Sequence, residues 1–344
     1  MRSPSDLARR SRRWPGPLVL ALAVLLAGCA TESGSPDPVP PASRSSPSGG
    51  TATAAPDVRA HLRVDGHSRG YLLHRPAAAD GPRPLVIAFH GRGSDAAELR
   101  EQSRLERAAG ARGMLVAYPE GLANGWGAGT RATEQRPDPD LDVRFTEALI
   151  KHLVRTERAD PERVYVAGFS NGGSMALRMA AQRPGLLAGA ASVSGQLPTG
   201  DAAVKPTGSV PVMVVYGADD PVRPLAGWPS PPPDPKEPII PTLSARDSAE
   251  AFAVAGGAGE PVTEKKKGYD HTVWRLKDTP GPAAAPGAPD GSGEAGPAGT
   301  VQLLVVHGAG HTWPGSSLTP PKGFGPTSKA LNATDTILGF FATG

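Results

Sequence analysis

Six largely apolar runs punctuate the chain, at 85–89, 114–118, 164–167, 190–193, 212–216 and 301–306, broken only by Ser192 and Gln302. Short runs of this kind suit strands covered on both faces, as in a parallel sheet. Three further segments differ. Residues 60–64 and 70–75 flank Asp65-Gly66, a tight hairpin signal, and 272–276 alternates as a half-buried strand does. Between strands the period changes. Leu141, Phe145, Leu149 and Leu153 recur every four residues, one face of a helix, with Asp140 placed to cap it. Residues 171–183 stop before Pro184, and 244–255 and 329–341 also read as helices. The alternation predicts an α/β fold: a mostly parallel sheet of eight to nine strands, helices on both faces, and an antiparallel hairpin at its N-terminal edge.

The pattern fails at the start of the chain. An Arg-rich opening leads into ten apolar residues, 18–27. That is short of the ~20 needed to cross a bilayer, and it matches the apolar core of an export signal. The run ends in Leu26-Ala27-Gly28-Cys29, which resembles the lipobox of bacterial lipoproteins. In that group the signal is cut before the cysteine and the thiol is lipidated. Residues 1–28 are therefore expected to be a lipoprotein signal peptide. Residues 29–56, rich in Ser, Pro, Thr, Gly and Ala, are expected to be a flexible linker, since they cannot bury enough apolar surface to offset chain entropy. Residues 57–344 form the folded domain, on the extracellular face of the membrane. Within it, 279–300 is almost wholly Pro, Gly and Ala and reads as a disordered insertion, whereas 225–242 carries Trp228, Ile239 and Ile240 and can pack near a site.

Composition narrows the chemistry. Cys29 is the only cysteine, which excludes an internal disulfide framework and a Cys-rich metal site. The net charge of +3 is local. Five arginines against Asp6 in the first 28 residues account for it, and the remainder is slightly acidic. Nothing in the folded part suggests a nucleic-acid footprint.

The chemistry centres on Gly168-Phe169-Ser170-Asn171-Gly172, which follows an apolar strand and precedes a helix. This is G-x-S-x-G in the strand–turn–helix setting the motif requires. A sharp reversal lifts the serine above the sheet edge, and glycines on both sides avoid a clash with neighbouring elements. Serine needs a base and an orienting carboxylate. Downstream histidines are His271, His307 and His311. His311 lies out on a loop after the last apolar strand, where it can swing over the sheet edge, and it is preferred as the base. Asp219 and Asp220 compete for the acid, and either suits an Asx turn. His90-Gly91-Arg92-Gly93 follows an earlier strand, so the amides of Arg92 and Asn171 are expected to form an oxyanion hole. His90 reads as a structural residue that bonds loop backbone.

With these motifs in place the chain resembles the secreted α/β-hydrolase esterases of polyhydroxybutyrate-depolymerase-like and feruloyl/acetylxylan-esterase-like type, including actinobacterial lipoproteins. The resemblance spans about 58–344. It rests on the apolar strand before His90-Gly91, on Tyr118-Pro119-Glu120-Gly121, and on Arg163-Val164-Tyr165-Val166-Ala167-Gly168-Phe169-Ser170-Asn171-Gly172-Gly173. Gly310-His311-Thr312-Trp313-Pro314-Gly315 completes it. It implies an α/β-hydrolase fold, with Ser170 as nucleophile, His311 as general base and acid, and Asp220, next to Pro221-Val222, as the acid. It places Trp126 and Trp313 near the substrate cleft, although Trp313 equally suits pinning the histidine loop. No cofactor or metal is implied. The expected protein is a monomeric serine esterase acting on a small or polymeric ester, joined to the membrane through Cys29. A peptidase or dienelactone-type hydrolase uses the same triad. A non-catalytic cell-envelope binding lipoprotein would carry a broken one, and here every role is filled.

Overall fold

The structure, a computed structural model, describes residues 57–77, 81–231, 240–277 and 299–342. The expected signal peptide, the linker with Cys29, and residues 279–298 of the expected insertion lie outside the described residues.

Among the described residues ten strands form one sheet in the order β1-β2-β4-β3-β5-β6-β7-β10-β9-β8. They are β1 (Val58–Val64), β2 (His67–His74), β3 (Arg83–Phe89), β4 (Leu115–Pro119), β5 (Ala159–Phe169), β6 (Gly189–Val193), β7 (Val212–Gly217), β8 (Val262–Lys266), β9 (Tyr269–Arg275) and β10 (Thr300–Val306). The six inner strands, β4 through β10 in sheet order, pair in parallel. Both edges are antiparallel hairpins. In the first, Val64 pairs with His67 across Asp65 and Gly66, which both take positive φ, as a two-residue turn matched to strand twist demands.

The second hairpin brings the count to ten, above the eight to nine expected. The extra strand, β8, reads Val-Thr-Glu-Lys-Lys and is mostly exposed. It has no apolar alternation because it is an edge, and lysine on an edge discourages further pairing.

Among the described residues six α-helices cover the two faces: α1 (Ala96–Ser103), α2 (Leu105–Gly110), α3 (Leu141–Glu157), α4 (Asn171–Gln182), α5 (Ala245–Ala255) and α6 (Ala333–Ala342). Leu85, Ile87 and Phe89 of β3 point to one core with α3, α4 and α5, while Val86 and Ala88 point to the other with α1, α2 and α6. Strand residues alternate between two buried faces, which is why the runs are nearly continuous.

Helix α3 buries Leu141, Phe145, Leu149 and Leu153 as expected, and Asp142 with them. Asp140 makes no side-chain cap; its carboxylate pairs instead with Arg178 of α4. Helices α1 and α2 carry no strong apolar stripe, since α1 buries only Ala96, Leu99 and Ser103. The expected helix at 329–341 begins only at Ala333, where Asn332 Oδ1 accepts from the amides of Thr334 at 3.0 Å and Asp335 at 3.3 Å.

Candidate active site

Strand β5 ends in Phe169 and α4 starts at Asn171, so Ser170 makes the whole turn. Its backbone sits at φ 55°, ψ −116°, a conformation costing a non-glycine residue ~1–3 kcal/mol. The surroundings enforce it. The Ser170 amide donates to Val193 O of β6 at 2.8 Å, and its carbonyl accepts from Ser174 N at 3.0 Å. A Cβ on Gly168 would overlap the Gly172 carbonyl, and one on Gly172 would overlap the Phe89 carbonyl of β3. Both glycines are therefore steric requirements of the turn.

The Ser170 hydroxyl lies 2.8 Å from His311 Nε2, and His311 Nδ1 lies 2.7 Å from Asp220 Oδ2. His311 and Asp220 are buried. Of the three downstream histidines, His311 alone meets the serine. His271 bonds Gln302 Oε1 at 2.9 Å on β9, and half-exposed His307 faces Asp270 at 3.3 Å. The loop bearing His311 is stapled to residues 324–326. The amides of Gly310 and His311 donate to Pro326 O at 2.9 Å and Phe324 O at 2.6 Å. Phe324 and Phe169 pack on the imidazole, at 5.3 and 5.0 Å between centroids.

Asp219 and Asp220 do not share the work as two competing carboxylates. Asp220 does both jobs with its two oxygens. Oδ2 meets His311, while Oδ1 accepts from Val222 N at 2.9 Å and Arg223 N at 2.7 Å. The Asx turn that follows β7 thus also aims the Asp220 carboxylate at His311.

Helix α4 has no side-chain cap, so the Asn171 amide at its first position is left for a ligand, where the helix dipole favours negative charge. Arg92 follows β3, strand neighbour to β5, and lines the same cleft as Ser170. Behind it His90 is fully buried. Its Nδ1 donates to Gly91 O at 2.7 Å and its Nε2 accepts from Gly121 N at 3.0 Å. These partners require the neutral ring, and burial lowers its pKa in the same sense.

Trp126 and Trp313 both border the cleft, but each ring is almost wholly inside the protein, at 2 % and 1 % exposure. Trp126 Nε1 donates to His90 O at 2.9 Å, and the ring meets Phe89 edge-on at 5.0 Å. Trp313 Nε1 donates to Thr334 Oγ1 of α6 at 3.0 Å, tying the histidine loop down. An indole that must satisfy a buried N–H turns inward, so both act in the wall rather than as open stacking platforms.

The loop around Trp126 is held by groups the sequence does not advertise. Asn171 bonds the Trp126 backbone twice. Buried Asp142 accepts from Gly127 N at 2.8 Å and also binds Arg69 and Arg136. Buried Arg178 donates to Gly127 O, Gly129 O and Pro139 O, each at 2.7 Å. One signal was available: an arginine and an aspartate on the inner faces of α3 and α4 are costly unless paired. The cleft itself has a volume of about 740 Å³. Trp228, Ile240 and Thr242 line it, so the described ends of the 225–242 connection pack at the site. Among the described residues no helix is long and apolar enough to cross a membrane.

This arrangement sets an imidazole nitrogen on the Ser170 hydroxyl beside the uncapped N-terminus of α4. A phospholipase/carboxylesterase family profile matches residues 132–227. The chain is 40 % identical to NocK, an inferred esterase of Nocardia uniformis subsp. tsuyamanensis, over 94 % of this chain and 97 % of that protein. It is 32 % identical to feruloyl esterase B of Piromyces equi, over 36 % of this chain and 23 % of that protein. Among solved structures, an acetyl xylan esterase from Aspergillus awamori aligns with a TM-score of 0.54 at 17 % identity, covering 84 % of this chain and 100 % of that one. That last likeness speaks to fold.

Proposed function

The chain belongs to the family of α/β-hydrolase esterases, and from that premise we propose that it hydrolyses carboxylic esters through Ser170, His311 and Asp220 by way of an acyl-enzyme. The observation carrying this reading is the unbroken chain from Ser170 Oγ to His311 Nε2 at 2.8 Å and from His311 Nδ1 to Asp220 at 2.7 Å.

Ser170 Oγ attacks the ester carbonyl as His311 Nε2 takes its proton. Asp220 holds the ring in the tautomer that leaves Nε2 free to accept, and it stabilises the imidazolium that forms. The negative charge on the carbonyl oxygen falls to the amides of Arg92 and Asn171, each such donor typically worth ~3 kcal/mol of barrier. His311 protonates the departing alcohol. Water then attacks the acyl carbon as it gives a proton to His311, and His311 returns that proton to Ser170 Oγ as the acid leaves. Trp126 and Trp313 shape the wall against which the substrate lies.

The catalytic unit is residues 57–344. Support for an extracellular, membrane-tethered location comes from the lipobox-like Leu26-Ala27-Gly28-Cys29 after the apolar run, with residues 29–56 as the linker. Cys29→Ser is expected to move the protein out of the membrane fraction.

The test is hydrolysis of chromogenic esters from acetate to octanoate, with methyl ferulate beside them. The wild type is expected to turn over short esters and to take a fluorophosphonate label. Ser170→Ala is expected to do neither while keeping its fold. Wild-type turnover by Ser170→Ala overturns the assignment.

A further inference from the structure

The cleft beside Ser170 is electrically lopsided. Glu98 and Glu101 of α1 line it on the β3 side, and Arg223 lines it on the β7 side. Strands β3 and β7 stand on opposite sides of β5, so the two charges flank the serine. Arg92, Arg131 and Arg136 also line the cleft; Arg131 and Arg136 each face a carboxylate, Asp201 and Asp142, at 3.1 Å, and Arg92 lies near enough to Arg223 to oppose its charge.

Arg223 differs. Among the described residues its guanidinium forms no ion pair; Nη1 donates to Ser174 Oγ at 3.1 Å. The residue is half-buried and lines the cleft. It is also fixed in place. Its N–H donates to Asp220 Oδ1 at 2.7 Å, and its carbonyl accepts from Tyr216 OH at 3.1 Å. Ser174, which holds its head group, lies one helical turn after Ser170 and is locked by Gln196 through bonds of 2.7 and 3.1 Å. Val222, Trp228 and Ile240, from the same connection between β7 and α5, add apolar wall. Burial opposes the arginine's charge. A half-buried cation held rigidly beside a cavity is stabilised by an anion that takes two parallel N–H bonds.

We infer that Arg223 is an anion subsite of the cleft and that the ester substrate carries a carboxylate, in its acyl or its alcohol part, that docks there. This rests on the esterase reading above and names its substrate class. The ester carbonyl sits at Ser170, the chain of the substrate runs along Val222 and Trp228, and the carboxylate pairs with the guanidinium.

The test uses binding, so that it does not depend on turnover. Full-length Ser170→Ala protein is titrated by calorimetry with monomethyl glutarate and with dimethyl glutarate. The monoanion is expected to bind at least tenfold tighter, and added salt is expected to narrow the gap. Arg223→Gln in the same background is expected to erase the difference, and Arg223→Lys to keep part of it. Equal binding of the two ligands overturns the inference, even if the glutamine variant does not fold. So does a preference that survives Arg223→Gln. Tight monoanion binding by a protein whose wild type hydrolyses no ester would uphold the subsite and overturn the hydrolase reading alone.

Discussion

Asn171 holds Trp126 by both of its backbone groups: Oδ1 accepts from the Trp126 amide at 2.7 Å and Nδ2 donates to the Trp126 carbonyl at 3.1 Å. The residue next to Ser170 therefore anchors a loop 45 positions away. That loop lies behind Arg92, through Trp126 Nε1 and His90 O. Both amides assigned to the oxyanion are tied to one unit.

Asn171→Ala keeps the backbone amide and removes both side-chain bonds. Its cost in stability is on the order of 1–3 kcal/mol, because a Trp126 carbonyl loses a partner. Its cost in rate is expected to be larger in relation. A displacement of ~1 Å at a reacting centre can lower turnover ~100-fold. Steady-state kinetics on a short ester should show kcat reduced ~10–100-fold with KM little changed. A normal kcat with a lowered melting temperature would mean that the clamp serves only the scaffold.

Asp220 carries two loads, and two substitutions separate them. Asp220→Asn keeps an oxygen for the amides of Val222 and Arg223 but presents an N–H to His311, which favours the wrong imidazole tautomer. It is expected to melt near the wild-type temperature and to lose kcat by ~10⁴-fold. Asp220→Ala loses the turn as well, and should be less stable than the asparagine variant by ~1–3 kcal/mol. Equal stability of the two variants would show that Oδ1 does not hold the turn.

The sequence singled out Ser170 and His311, which lie 2.8 Å apart in the structure, because each sits in a motif whose spacing is dictated by local sterics. Gly168 and Gly172 announce the turn, and Gly310 next to His311 announces a backbone pressed against Phe324. The residues by themselves left Asp219 and Asp220 open, and only the resemblance, through Pro221-Val222, pointed to Asp220. The choice depends on which side chain can reach across 91 residues of chain to His311, and only packing decides that. Trp126 was legible as a residue of the site but not in its orientation, which the distant carbonyl of His90 sets. Strand β8 and helices α1 and α2 escaped the pattern because they bury too little to impose one. Helix α1 did leave a trace: Asp95 caps it by accepting from Glu98 N at 2.9 Å, in an Asp-x-x-Glu frame.

The strain at Ser170 makes a stability prediction that runs against activity. At φ 55°, ψ −116° an alanine is as strained as the serine, whereas glycine adopts the conformation without a Cβ penalty. Relief of ~1–3 kcal/mol is set against the ~0.5–1 kcal/mol by which glycine favours the unfolded chain. Ser170→Gly should therefore melt above Ser170→Ala, with both inactive. A lower melting point for the glycine variant would mean that the turn holds little strain.

His90 gives the fold a pH dependence whose direction follows from its partners. Gly91 O can only accept and Gly121 N can only donate, so the native ring has Nδ1 protonated and Nε2 bare. Burial lowers its pKa below the usual value of about 6.5. As the pH falls through about 6.5 the unfolded chain takes up a proton that the native ring refuses. The stability contributed by neutral His90 is complete above that pH and is lost progressively below it, toward the lowered native value. His90→Gln offers a donor and an acceptor with no titration in this range. Melting temperatures recorded between about pH 5 and 8 should fall more steeply on the acid side for the wild type than for His90→Gln. The difference between the two curves should vanish in slope above neutrality. Parallel curves throughout would mean that the His90 ring takes up a proton in the folded protein as readily as in the unfolded one.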